Sequence, residues 1–404
     1  MEHCSTNKPL NYKILFFTFY ISLILVFEKL SILYFKEYDL ELIKFTQSYN
    51  SLDTFWKIVS FFGSKEFKLY LFPIVFCIFN IYFSFLYISI MSVSLLLTSQ
   101  VKLLIQEDRP FWTYPDIPVY SCELGYGFPS DHTMVSTPIY LFLYNIIWDK
   151  FQFSGRTAKI FNGIGKILIF IFLVLIGVSR VYMGAHYYFQ IVSGILLGIG
   201  IYLFFFSLLE FSHVDYEPFL RLIDNIYFRT TILFVYLLFY LLYLFSLLFT
   251  NEPPMQEWIM TIVLKCNKFP WFTPLIQGLI NSSYYFMSAA AIGGNILIYN
   301  IYYGTEKKDK FIKDLISNEN RIFEGSLCDY FKFSLYIIGN LLLFFLFRNM
   351  FWIIGISFEN NNLWGTYFIE KLIPNFLAVF VISAFSKFIF EFLRLIKYED
   401  DNAA

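Results

Sequence analysis

Apolar stretches of about twenty residues recur along this 404-residue chain, and they narrow what it can fold into. As a helix, each is long enough to cross a hydrocarbon core of about 30 Å. Only helices and closed barrels satisfy every backbone N–H and C=O inside lipid. About ten such runs can be read, near 14–35, 67–82, 84–105, 132–148, 164–182, 187–209, 230–250, 279–303, 333–357 and 373–395. Glu28 and Lys29 interrupt the first, and the second and third are fused, which predicts a turn near Asn80 to Ser84. With 58% hydrophobic and 15% charged residues and a mean hydropathy of +0.59, the composition excludes an ordinary soluble globule. It predicts an all-α polytopic membrane protein. No small-residue cleavage site follows the first apolar run, so that run is expected to be a retained helix.

Charge sets the expected topology. Lys150, Arg156, Lys159 and Lys166 lie in the segment 149–166, and Lys307, Lys308, Lys310, Lys313 and Arg321 in 304–331. The lysine and arginine bias places both on the cytoplasmic side together with the two termini. The segment Lys36 to Lys68 also carries lysines yet falls on the opposite side, where its amphipathic stretch Leu52 to Phe67 suits the interface. A net charge of −1 supplies no basic surface for nucleic acid, and the expected partners are membrane lipids. Cys4, Cys77, Cys122, Cys266 and Cys328 form no metal-binding spacing and no disulfide framework. A single Cys122–Cys266 bridge requires both residues to face an oxidising lumen.

Three polar segments stand out against this background. Lys102 is followed by Arg109-Pro110, Pro129-Ser130-Asp131-His132 opens the fourth run, and Ser179-Arg180 closes the fifth just ahead of His186. Alternating spans bring all three to the non-cytoplasmic face. Charged or titratable groups beside apolar runs are costly unless they have a partner or a function. Three cations, a serine at a helix start and two imidazoles are what phosphate ester chemistry requires. Lys102, Arg109 and Arg180 would neutralise phosphate oxygens, and arginine, the scarcer cation here, matches them with a planar fork. Ser130 and the free N–H groups behind it would cradle phosphate. One imidazole would attack phosphorus while the other protonates the leaving alkoxide. This chemistry calls for no metal and no cofactor, and no carboxylate cluster is placed to hold a metal.

Taken singly, each residue has a plainer explanation. A lysine at a span end is usually an interfacial snorkeler, Pro-Ser before a helix is usually a cap, and His3 and His213 read as solvated or packed. Pro138, Gly194 and Gly198 read as helix-packing residues. The ordered conjunction on one membrane face is what points to a site.

Lys102-(six residues)-Arg109-Pro110, Pro129-Ser130-Asp131-His132 and Ser179-Arg180-(five residues)-His186 resemble the three signatures of the type 2 phosphatidic acid phosphatase superfamily. That group includes lipid phosphate phosphatases, sphingosine-phosphate phosphatases, glucose-6-phosphatases and soluble vanadium haloperoxidases. The resemblance covers roughly residues 50–210. It implies a six-helix phosphatase-type bundle core, with about four additional transmembrane helices beyond it, and metal independence. It implies His186 as nucleophile, His132 as general acid, and Lys102, Arg109, Ser130 and Arg180 as phosphate ligands. Asp131 stands in the cradle where the family usually has glycine. Gln190 stands where the family usually has the aspartate that orients the nucleophile, although members resembling glucose-6-phosphatase carry glutamine there.

The expected organisation is thus a cytoplasmic N-terminus with the first helix and the start of a luminal loop (1–49), a phosphatase core (50–210) and a C-terminal transmembrane region (211–404). The resemblance implies the endoplasmic reticulum membrane, with the site facing the lumen. Arg109-Pro110-Phe111-Trp112, Cys122-Glu123-Leu124-Gly125 and Gln190 look like the glucose-6-phosphatase branch, whereas the length and Tyr182-Met183-Gly184 look like the sphingosine-phosphate branch. A site at a membrane face favours amphiphiles, so the expected substrate is a lipid phosphate monoester such as a sphingoid-base phosphate or phosphatidate. A sugar phosphatase and a non-catalytic lipid-binding or transport protein are the alternatives.

Overall fold

A computed structural model describes residues 10–79, 81–123, 125–150, 155–209, 255–266, 327–350 and 373–392, with isolated positions at 230, 234 and 241. The runs expected at 230–250, apart from those positions, and at 279–303 lie outside the described residues. Among the described residues every regular element is helical. They are α1 (Leu10–Gln47), α2 (Asp53–Gly63), α3 (Lys65–Ile78), α4 (Ile81–Ile105), α5 (Pro110–Thr113), α6 (Asp131–Lys150), α7 (Gly155–Tyr182), α8 (Tyr188–Leu209), α9 (Met255–Cys266), α10 (Leu327–Arg348) and α11 (Ile373–Phe392). Three stretches among the described residues, Phe83–Thr113, Gly155–Tyr182 and Tyr188–Phe206, are long and apolar enough to cross a membrane.

Two expected boundaries move. The lysine-bearing segment 149–166 is not all loop, because α7 begins at Gly155 and carries Arg156, Lys159 and Lys166 on its first turns. The stretch Leu52 to Phe67 is divided between two helices. Ser64 is extended (φ −70°, ψ 151°) and separates α2, which buries only Val59, Ser60 and Gly63, from α3, which buries Leu69, Phe72 and Phe76 among others. The other side of α2 exposes Phe55, Ile58 and Phe61.

The chain divides into two compact units interleaved in sequence: Met1–Lys65, Leu97–Val214 and Ser246–Gly278 in one, Glu66–Leu96, Asp215–Phe245 and Leu279–Ala404 in the other. In the second, α10 packs on α11. There Arg348 donates to Asn375 Oδ1 (3.3 Å) and lies 4.9 Å from the centre of the Tyr70 ring.

The first unit holds all the motif residues and draws on all three expected regions of the chain. Here α6 packs on α8 and α7, α1 on α8, and α2 on α7. Gly194 and Gly198 let α8 approach α6 closely, since a Cβ at either would collide with Thr133 or Thr137. Pro138 of α6 lies in the same seam. Helix α7 ends at a turn with Gly184 in the left-handed region (φ +73°), closed by Gly184 N–H to Val181 O (2.9 Å) and Ala185 N–H to Arg180 O (3.0 Å). Helix α8 restarts at once, and Asp39 of α1 accepts its Phe189 N–H at 3.3 Å. His186 sits in that turn, fixed from both sides.

Helix α9 lies over the loop that leads into α6. Trp258 rests on Trp112 at 5.5 Å between ring centres, Lys265 donates to Ile117 O (2.9 Å), and Cys266 is bonded to Cys122. The bridge that the sequence allowed conditionally is therefore formed.

Candidate active site

The turn between α7 and α8 sets the nucleophile candidate. His186 is 1% exposed, and both of its ring nitrogens are engaged. Nδ1 lies 3.1 Å from Gln190 Oε1, and Nε2 lies 3.0 Å from Arg109 Nη1. Gln190 fits this role because it stands one helical turn after His186 at the start of α8. Its Oε1 also accepts the Tyr187 N–H (3.3 Å), while its Nε2 donates to Glu107 Oε2 (3.0 Å) and Asp108 O (3.1 Å). Two acceptors on one side and a backbone donor on the other leave the amide a single orientation. His186 Nδ1 must then carry the proton, and the Nε2 lone pair points to Arg109. Burial first, then Arg109, Lys102 and Arg180, push the His186 pKa well below its usual 6.5, against the pull of the Gln190 bond. The imidazole is neutral at physiological pH.

Arg109, just before Pro110 of α5, is held by carbonyls on several sides. Nε donates to Gly125 O (2.5 Å), Nη1 to Ala185 O (2.8 Å) and Nη2 to Tyr126 O (3.2 Å). Arg180, in the last turn of α7, donates from Nη1 to Ser60 Oγ (2.8 Å) and from Nη2 to Glu123 Oε1 (2.7 Å) and Ser121 Oγ (3.4 Å). Its Nε is buried and has no acceptor among the described residues. The same holds for Ser130 Oγ at the start of α6. Buried donors without acceptors are uncommon in a folded chain, and here two occur within the motif set.

Lys102 ends α4 and is buried. Its ammonium lies 2.9 Å from Asp131 Oδ1 and donates to Tyr126 O at 2.5 Å. Asp131, where the resembled signature usually has glycine, thus neutralises Lys102 from the first turn of α6, where the helix dipole also favours a carboxylate. His132, next along α6, is partly exposed and packs on Gly63 of α2.

The sequence reading missed four contributors. Ser60 comes from an amphipathic helix and has no local signal. Glu123 was legible only as part of a branch-like run. Burial drives its pKa upward, but Arg180 and Arg109, with His132 and Lys65, overcome this and hold the carboxyl well below the usual range. Glu107 touches Gln190. Asp108 binds Lys36 of α1 (2.8 Å) and accepts from Tyr187 OH (3.2 Å), which supports the turn from behind. Among the described residues no three His, Cys, Asp or Glu side chains gather as a metal site.

Residues 81–213 match the family model described as the PAP2 superfamily. A stretch of 109 residues is 28% identical to the glucose-6-phosphatase catalytic subunit 1 of Felis catus and, at the same identity and length, to that of Bos taurus. The match covers 23% of this chain and 30% of each relative. No solved structure matches the chain.

Proposed function

We propose that the protein, whose residues 81–213 match the PAP2 superfamily model, is a membrane-embedded hydrolase of phosphate monoesters that works through a phosphohistidine on His186. The observation that carries this reading is the His186 ring: neutral, with Nδ1 tied to Gln190 and Nε2 presented to a guanidinium. Nε2 attacks phosphorus, the P–O bond to the alcohol breaks, and His132 donates its proton to the leaving alkoxide. His132 then takes a proton from water, whose oxygen attacks phosphorus, and the P–N bond breaks to release phosphate and restore His186. Arg109 moves its Nη1 from Nε2 to a phosphate oxygen as the bond forms. Arg180 Nε and Ser130 Oγ, both without acceptors among the described residues, take further oxygens. Lys102 adds positive charge from behind, moderated by Asp131. This sequence uses no metal.

For the substrate, Ser60, Ser121 and ionised Glu123 around Arg180 form a polar wall. Such a wall suits a hydroxyl-bearing leaving group, and the matched relatives are named as glucose-6-phosphatases. A sugar phosphate is therefore the better supported substrate, ahead of the lipid phosphate that membrane location, chain length and Tyr182-Met183-Gly184 favoured. The lipid reading has a structural support: the helix that supplies Ser60 exposes Phe55, Ile58 and Phe61 on its other side. The Cys122–Cys266 bridge supports a site facing an oxidising compartment, in keeping with a luminal face of the endoplasmic reticulum and cytoplasmic termini.

The test is phosphate release by purified protein in EDTA. It uses glucose 6-phosphate, sphingoid-base phosphate, phosphatidate and isoprenoid phosphate, with His186→Ala as control. Release that vanishes in His186→Ala supports the proposal, with the preferred substrate choosing between the readings. Release that survives His186→Ala, or no release from a folded sample, overturns it.

A further inference from the structure

The amide that orients His186 is itself held by a pair of carboxyl groups. Gln190 Nε2 donates to Glu107 Oε2 at 3.0 Å, in the loop between α4 and α5. Behind it the Glu107 carboxyl meets that of Glu28, which α1 carries in the middle of its apolar run. Glu28 is fully buried and Glu107 is 8% exposed. Among the described residues no N–H or O–H of another side chain or backbone reaches Glu107 Oε1 or either oxygen of Glu28. Two buried carboxyls in contact, without other donors, are satisfied by sharing one proton, which leaves a single negative charge on the pair.

We propose that Glu107 and Glu28 form a proton-sharing pair that acts on His186 through Gln190, so that the acid of the nucleophile's triad is displaced one residue outward rather than lost. This rests on the phosphatase reading above. When Nε2 bonds to phosphorus, the imidazole ring becomes cationic. A carboxylate touching the Nε2–H of Gln190 polarises the amide, makes Oε1 a stronger acceptor for His186 Nδ1–H and stabilises that positive ring. Glu107 and Glu28 are positioning residues, since neither touches the reacting atoms. The cations acting on His186 are Arg109, Lys102 and Arg180; Asp131 and Glu123 face Lys102 and Arg180, and the pair supplies negative charge on the Gln190 side. Asp108, which faces Glu107 as well, is already bonded to Lys36.

Two isosteric substitutions separate this role from mere packing. Glu107→Gln keeps an acceptor for Gln190 but removes charge from the relay. Glu28→Gln gives Glu107 an N–H donor and leaves the charge on Glu107 alone. The measurements are the pH profile of kcat for phosphate release and the pH dependence of carbethoxylation of the His186 peptide, read by mass spectrometry. The second needs no substrate. Glu107→Gln is expected to lower kcat roughly tenfold, a common cost of removing a histidine's outer partner, with KM changed less than twofold, and to move the acid limb to lower pH. Glu28→Gln is expected to move it to higher pH. Shifts of the same sign, or no shift in either variant, overturn the relay. If His186 reactivity shifts in opposite directions while no substrate turns over, the relay stands and the phosphatase reading fails. If turnover requires His186 but neither variant shifts the profile, the reading stands and the relay fails.

Discussion

His186 and His132 stand beside helix starts in the same compact unit, and their surroundings are opposite. His186 is sealed in the turn between α7 and α8, with both nitrogens bonded and cations keeping the ring neutral. His132 lies on the first turn of α6, partly exposed, beside α2 and close enough to Glu123 for their charges to interact. A nucleophile must hold one tautomer and one direction, so an enclosed site with a fixed amide suits it. A group that gives and takes protons must exchange them with solvent or substrate, so an open edge beside an ionised carboxylate suits that. The two histidines have the same chemistry and differ in what the fold lets them do.

The largest break in this comparison comes from His186→Ala. Loss of the proposed nucleophile is expected to reduce kcat by on the order of 10⁴-fold or more for every substrate, measured as phosphate release. His132→Ala is expected to be milder and selective. It should cost roughly 10²- to 10⁴-fold with alkyl phosphates but far less with an aryl phosphate whose phenolate needs no proton. Equal losses on both substrates would mean that His132 does not serve the leaving group.

Gln190→Asp sharpens the contrast by changing the surroundings of His186 and not those of His132. A carboxylate at this position favours the protonated ring, so the acid limb of kcat/KM should rise by roughly one pH unit. The sign for stability follows from the same neutral ring. The imidazole is held neutral when folded but takes a proton near pH 6.5 once unfolded, so its contribution is present above that pH and is lost below it. Gln190→Asp should reduce that loss, and thermal melting at pH 5 against pH 7 measures it. The smallest expected effect is that of Cys122→Ser. Opening a bridge across 144 residues of sequence should lower the melting temperature by several degrees, with activity near wild type once folded.

Much of the site was legible because its residues sit at helix ends. Ser130 and His132 open α6 and Arg180 closes α7, so alternation of the apolar runs related them, while the resemblance pointed to Gln190, one turn of α8 after His186. Helix ends were less legible where charge misled. Lysines on the first turns of α7 look like a loop until the helix is seen to extend beyond its apolar part. Glu28 looked like a blemish in the first apolar run, since nothing nearby in sequence offered it a partner.

By itself the sequence determined the helical class, most of the described helices and the identity of the motif side chains. These follow from apolar run length and from local spacing along one strand of chain. The tertiary structure decided which distant residues complete the site: Ser60 and Glu123 on Arg180, Glu107 and Glu28 behind Gln190, and Cys266 on Cys122. Such contacts join segments of no fixed separation. They leave no period to read, and only packing of the helices brings a buried carboxyl on α1 to Glu107, which holds the amide bonded to His186, more than 150 residues from Glu28.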